Sequence, residues 1–275
     1  KYRAEYAAKP QIDIKLKMGG PISMNITIPE LLDLSHTMAG EYLSQFQYPW
    51  EALDGIKELI LSLGSQLSPE EYSQPREHVW VHKTAVVAPT AYLGAPCIIG
   101  PETEIRHCAF IRGSALVGAH CVVGNSAELK NSILFDEVQT PHYNYVGDSI
   151  LGYKSHMGAG SVTSNIKSDK TSVVIKAETD IFTGRRKVGA VLGDFVEVGC
   201  NSVLNPGTIL GRHSIVYPTS CVRGVIPANS IYKDKDHIIQ RQESKRFLHS
   251  MSRQKIKAQP IERYRALTPA GLKQA

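Results

Sequence analysis

Stepping through the chain six residues at a time from Val81 gives Val81, Val87, Leu93, Ile99, Ile105, Ile111, Val117, Val123, Leu129 and Phe135, all large and apolar. Two places before each anchor stands a mostly small residue: Val79, Ala85, Ala91, Cys97, Thr103, Ala109, Ala115, Cys121, Ala127 and Ile133. Glycine often follows the anchor (Gly94, Gly100, Gly118, Gly124), and the beat resumes as Leu192, Val198, Leu204, Leu210, Val216 and Val222. A period of six fits neither an amphipathic helix nor an alternating strand; it is the mark of a stacked repeat. Each hexad makes a short strand and a turn, with the large residue inward and the small one where a tight corner leaves little room. Three hexads close a triangular coil, so residues eighteen apart stack on one face.

The pattern therefore predicts a mainly β chain, a left-handed parallel β-helix over residues 79–233, with stability spread coil by coil. Outside it the period changes. Residues 1–26 carry little signal. Thr27-Ile-Pro-Glu30 resembles a capping box with proline early in the first turn. Behind it, Leu31, Leu34, Met38, Tyr42 and Leu43 form an apolar helical face. A second helix is expected from Trp50 to Leu63, ended by Gly64. Together these predict a helical hairpin across 27–78, packed on the β-helix or on a neighbouring subunit. From Lys233 the chain turns basic (Lys235, Arg241, Lys245, Arg246, Arg253, Lys255, Lys257). Residues 234–275 read as a basic helical tail, with an amphipathic helix at 236–256.

Composition narrows the class. A hydrophobic fraction of 42% and a charged fraction of 21% are ordinary for a globular protein. No run of eighteen apolar residues exists to span a bilayer. Lys1 to Pro10 lack the apolar core of a signal peptide. Five cysteines without zinc-like spacing fit reduced thiols and a cytoplasmic location. A net charge of +5 with no basic stripe argues against nucleic acid and suits an enzyme handling phosphorylated ligands.

A repeat scaffold is chemically inert, so function is sought where the pattern breaks. Arg112 and Lys130 occupy the slot after the anchor, eighteen apart, so two cations stack on one face. They form a phosphate clamp or remain two solvated charges. The anchor then fails at Pro141, which predicts an excursion of the chain before it re-enters at Val146, carrying His142 near the two cations. The near-neutral pKa of histidine suits a general base. The small residues of His156-Met-Gly-Ala-Gly160 and Thr163-Ser-Asn165 permit close approach of a ligand or a neighbouring chain. Arg185-Arg-Lys187 sits in a loop between Ser172 and Ala190, either solvated or reaching a phosphate.

With these residues in place, the chain resembles the acetyltransferase domains of sugar-1-phosphate nucleotidylyltransferase/acetyltransferases, from about Val79 to Lys233. The family includes the bacterial glucosamine-1-phosphate acetyltransferase/N-acetylglucosamine-1-phosphate uridylyltransferases and archaeal relatives. Pro-His142-Tyr-Asn-Tyr145-Val-Gly-Asp148 resembles their catalytic loop. The resemblance implies that His142 is the general base, and that Arg112, Lys130, Tyr145 and Asn165 contact the acceptor. Ala159, Cys200 and Pro218 fall on positions lining an acetyl-CoA groove between subunits of a homotrimer. Thr183-Gly-Arg-Arg-Lys-Val-Gly-Ala190 is similar to an insertion of the archaeal subgroup. His156, also on an acceptor position, replaces the asparagine of the bacterial enzymes. Residues 1–78 are too short for a nucleotidylyltransferase domain and lack its Gly-rich signature.

The implied activity is acetyl-CoA-dependent N-acetylation of an amino-sugar phosphate or nucleotide-linked amino sugar, with no metal, nucleic acid or membrane involved. A non-catalytic trimeric assembly or ligand-sensing module is the alternative. A zinc hydratase needs three converging histidines, and His107, His120 and His142 are not in stacked register by sequence count.

Overall fold

The computed structural model of the chain describes residues 26–241, in which short strands wind into the left-handed parallel β-helix that the period predicts. Three faces repeat. The first carries Val79–His82, Cys97–Ile99, Ala115–Val117, Ala190–Leu192 and Thr208–Leu210. The second carries Glu104–Ile105, Val122–Asn125, Gln139–His142, His156–Met157 and Glu197–Val198. The third carries Tyr92–Leu93, Phe110–Ile111, Val162–Thr163 and Val203–Leu204. Two longer strands, Glu128–Leu134 and Tyr145–Leu151, bend from the third face onto the first. Inward anchors such as Ile99, Ile105, Ile111, Val117 and Val123 are fully buried, each burial contributing on the order of 2 kcal/mol.

One coil departs from the count of eighteen. Leu129 pairs with Ile111, but Leu134 pairs with Val117, so a residue is missing at the corner occupied by Lys130 and Asn131. Asn131 turns that corner at φ 48, a left-handed conformation that asparagine tolerates. The anchor seat that the hexad count gives to Phe135 thus falls to Leu134. The next inward seat, opposite Val123, falls to Thr140, which is fully buried. The excursion expected at Pro141 does not occur. Gln139–His142 is a paired strand, and the Pro141 carbonyl passes so close to Gly124 that a Cβ there would lie 1.6 Å from it.

The segment before the prism buries Leu31, Met38, Tyr42 and Leu43 as expected and Leu34 only in part, yet only Ile56–Gly64 is a regular α-helix of more than one turn. Ile28–Leu31, Leu34–His36, Gly40–Leu43 and Pro49–Gly55 are short α or 3-10 turns. Tertiary pairing overrides helical propensity here. The Asp33 N–H donates to Asp194 (2.8 Å), the Asp194 N–H to the Leu31 carbonyl (3.0 Å), and the Asp136 N–H to the His36 carbonyl (3.0 Å). These contacts hold the segment across the coil edges as a pad. Beneath it lies the outward row of the first face, Ile98, Leu116, Ile133 and Ile150, all but Leu116 (1% exposed) fully buried.

Residues 71–78, assigned to the hairpin region, contain instead the strand Tyr72–Arg76, antiparallel to Val79–His82. At the far end, His237–Gln240 is a strand antiparallel to Ser230–Asp234 rather than the start of a helix. The rest of the expected tail, like residues 1–25, lies outside the described residues.

An arm interrupts the coils between Thr163 and Ala190. It holds the antiparallel pair Val174–Ile175 and Ile181–Phe182 and folds back, with Val173 and Ile175 fully buried near Gly207. Among the described residues no helix is long and apolar enough to cross a membrane.

Candidate functional site

Two edges of the third face carry the residues singled out by sequence. At the edge shared with the first face, Arg112 and Lys130 stack as their spacing predicts, since the Phe110–Ile111 pairing with Glu128–Leu129 brings them to neighbouring coils. Neither cation is free. Arg112 Nη1 donates to Glu128 Oε1 at 2.8 Å, an ion pair that raises the guanidinium's pKa above its usual value. Lys130 Nζ lies 3.3 Å from both oxygens of Asp148, a carboxylate only 4% exposed as a residue. Asp148 turns the corner one coil on from Asn131, at φ 49. It also accepts from Asn131 Nδ2 (2.9 Å) and Asn165 Nδ2 (2.5 Å).

Tyr145 lies beside Glu128 on the next coil. Its hydroxyl accepts from Asn165 Nδ2 at 3.2 Å. Burial pushes the Tyr145 phenol's pKa up, and Asp148 and Glu128 push it further in the same direction. Arg112, Lys130, Tyr145 and Asn165 thus come together as expected. Their counter-charges, Glu128 and Asp148, are not among the residues that the repeat pattern singles out. A carboxylate two places before Lys130 and three after Tyr145 was the available signal.

His142 stands at the other edge of the third face, shared with the second, and not among the cations. Tyr145 lies between, three residues along the chain and past the corner that Tyr143 turns at φ 51. The His142 ring is exposed and has no hydrogen-bond partner among the described residues. Its backbone is fixed by Asn144, which is 2% exposed and was not singled out by sequence. Asn144 Oδ1 accepts the His142 N–H (3.0 Å), and Nδ2 donates to the Gly158 carbonyl (2.9 Å) and the Ser161 carbonyl (3.1 Å).

Above His142 runs a column. The Gly160 N–H donates to the His142 carbonyl, Asn201 N–H to Ala159, and Thr219 N–H to Cys200, so His142, Ala159, Cys200 and Pro218 occupy one corner in successive coils. The Gly158 and Gly160 N–H groups are already bonded, to the Val198 and His142 carbonyls, whereas that of Ala159 has no acceptor among the described residues. His156 is set apart on the open second face, its Nδ1 3.0 Å from Glu197. Arg185 binds Asp54 (2.6 Å) and the Glu51 carbonyl (3.0 Å) of the pad.

The missing residue at Asn131 corrects one further expectation. His142 pairs with Asn125, and the Ser126 N–H donates to the His107 carbonyl, so His107 and His142 share a column two coils apart. That separation is roughly 9–10 Å along the backbone column, and only Asn125 lies between them. Among the described residues no group of three His, Cys, Asp or Glu side chains is placed to hold one.

Residues 109–226 match the family model of the GMPPB C-terminal domain. The chain is 26% identical over 225 residues to a protein of Methanococcus maripaludis named bifunctional protein GlmU, covering 80% of this chain and 55% of that one. It is 31% identical over 106 residues to the bifunctional sugar-1-phosphate nucleotidylyltransferase/acetyltransferase of Sulfurisphaera tokodaii, covering 38% and 26%. The chain is thus similar to the part of these bifunctional proteins that it spans. It spans about half the length, or less, of the curated relatives it matches. Among solved structures, the UDP-N-acetylglucosamine acyltransferase of Campylobacter jejuni is similar with a TM-score of 0.34 and 15% identity, over 63% of this chain and 82% of that one.

Proposed function

We propose that the chain is an acetyl-CoA-dependent N-acetyltransferase acting on an amino-sugar phosphate or a nucleotide-linked amino sugar. The observation that carries this reading is the layout of the third face, with an unpartnered histidine at one edge, a stacked cation pair at the other, and Tyr145 between them. Kinship to bifunctional nucleotidylyltransferase/acetyltransferases supports it. Arg112 exchanges Glu128 for the acceptor's phosphate, Lys130 stays on Asp148 and turns its remaining N–H to the same phosphate, and Tyr145 and Asn165 meet the sugar. His142 takes a proton from the amine as its nitrogen attacks the thioester carbonyl. The C–N bond forms, the C–S bond breaks, and the departing CoA sulfur receives a proton. The Ala159 N–H is available to the developing oxyanion.

The pantetheine arm runs along Ala159, Cys200 and Pro218, beside a second copy of the chain in a homotrimer. His156 comes to the acceptor from that copy rather than from its own. No metal takes part in this scheme.

Thiol release from acetyl-CoA, measured against a panel of amino-sugar phosphates, tests the proposal. The expected result is turnover with at least one acceptor, reduced at least about a hundredfold in His142→Ala. A folded protein that releases no thiol with any acceptor, and whose exposed Cys200 is labelled equally fast with and without acetyl-CoA, overturns it.

A further inference from the structure

Asn131 belongs neither to the repeat nor to the residues read as touching acceptor. It sits where the coil has lost a residue, at φ 48, and its side-chain amide spends both hydrogens. One goes to the Leu53 carbonyl of the pad (3.2 Å), the other to Asp148 Oδ1 (2.9 Å). The carboxylate it reaches is the hub of the cation edge. Asp148 holds Lys130 through both oxygens and Asn165 through Oδ2, and Asn165 in turn donates to the Tyr145 hydroxyl. Leu53 lies in the 3-10 turn Pro49–Gly55, whose Glu51 carbonyl and Asp54 carboxylate also hold Arg185 of the arm.

A buried carboxylate keeps one orientation only while its acceptor sites are filled. Lys130 straddles both oxygens and selects neither, whereas Asn131 and Asn165 each bind one. We propose that Asn131 is a positioning residue of the acceptor site: by tying Asp148 to the pad, it fixes Lys130 and Asn165 in the arrangement that receives the acceptor. This rests on reading Lys130 and Asn165 as acceptor contacts. The pad then has a task besides covering the first face, because the seat of its Pro49–Gly55 turn sets the geometry of the clamp.

Two variants test the idea. Asn131→Gly removes the amide while tolerating the left-handed corner; Asn131→Asp keeps the shape but cannot donate to either partner. With glucosamine 1-phosphate as acceptor, both are expected to raise its KM about tenfold, Asn131→Asp more than Asn131→Gly, as for loss of a hydrogen bond to a charged group. The kcat and the KM for acetyl-CoA stay within about twofold. An unchanged acceptor KM, or a joint shift of kcat and both KM values, overturns the proposal.

The crystal structure of Asn131→Gly supplies a readout that needs no turnover. Lys130 Nζ is expected to leave Asp148, beyond ion-pair distance, and Asn165 to lose its bond. If both contacts persist, Asn131 positions nothing, whatever the kinetics. If the wild-type protein acetylates no amino sugar, the transferase reading falls and the crystal structure alone decides the role of Asn131.

Discussion

A single side chain in this prism is judged by the edge on which it falls. His213, in a left-handed corner conformation at φ 58, stacks on Phe195 with ring centroids 4.7 Å apart. Burial lowers its pKa, and Arg241 and Arg212 beside it lower it further. The unfolded chain therefore binds more protons at this site than the folded one. Stability rises with pH between the lowered folded value and 6.5, and is lost as pH falls through that window. His213→Asn suits the same corner and carries no titrating ring. Its melting temperature is expected to decline less than that of the wild type between pH 6.5 and about 5; parallel declines would remove His213 from the account.

The site was legible in the sequence to different depths. Arg112 and Lys130 were placed correctly because their spacing of eighteen lies before the slipped corner. Pro141 in the anchor slot predicts an excursion near the cations, whereas His142 ends a paired strand at the opposite edge, because the coil is already short at Asn131 and the inward seat passes to Thr140. The shortening is masked in the sequence because Phe135, an apolar residue, stands where an unbroken count of six requires one.

Among the elements, the arm between Thr163 and Ala190 carries the clearest contrast of forces. Its ion pair to the pad joins Arg185 to Asp54, whose side chain is 78% exposed, a setting where such pairs contribute at most about 1 kcal/mol. Its packing buries Ile175 completely. In chemical denaturation, Arg185→Ala is expected to cost about 1 kcal/mol or less and Ile175→Ala about 2–4 kcal/mol. The reverse order would mean that the arm is held by charge. The pad teaches a related lesson. Its buried positions followed from the apolar pattern of Leu31, Met38, Tyr42 and Leu43. Its broken helices did not, because the breaks come from Asp194 and Asp136 on coils far along the chain.

At the scale of the whole molecule, the first face is closed by the pad, while the third leaves Tyr92, Phe110 and Val203 exposed at 51%, 42% and 37%. The proposed homotrimer covers such positions. Sedimentation is expected to give three copies for the wild type and single copies for Tyr92→Asp/Phe110→Glu, with the β-rich circular dichroism retained. A single-copy wild type would leave the proposed cofactor column open on one side and refute the trimer.

The sealed face has a consequence for growth. A prism open on all three sides can tile outward into a layer; one with a lid on a single side keeps two open sides, and these meet along the edge that carries His142. Each copy then has room for two neighbours, turned toward a common axis, and a polygon of such copies shuts on itself. In the proposed homotrimer the pad ends lateral assembly, so stripping it away is expected to turn a closed particle into an open-ended one.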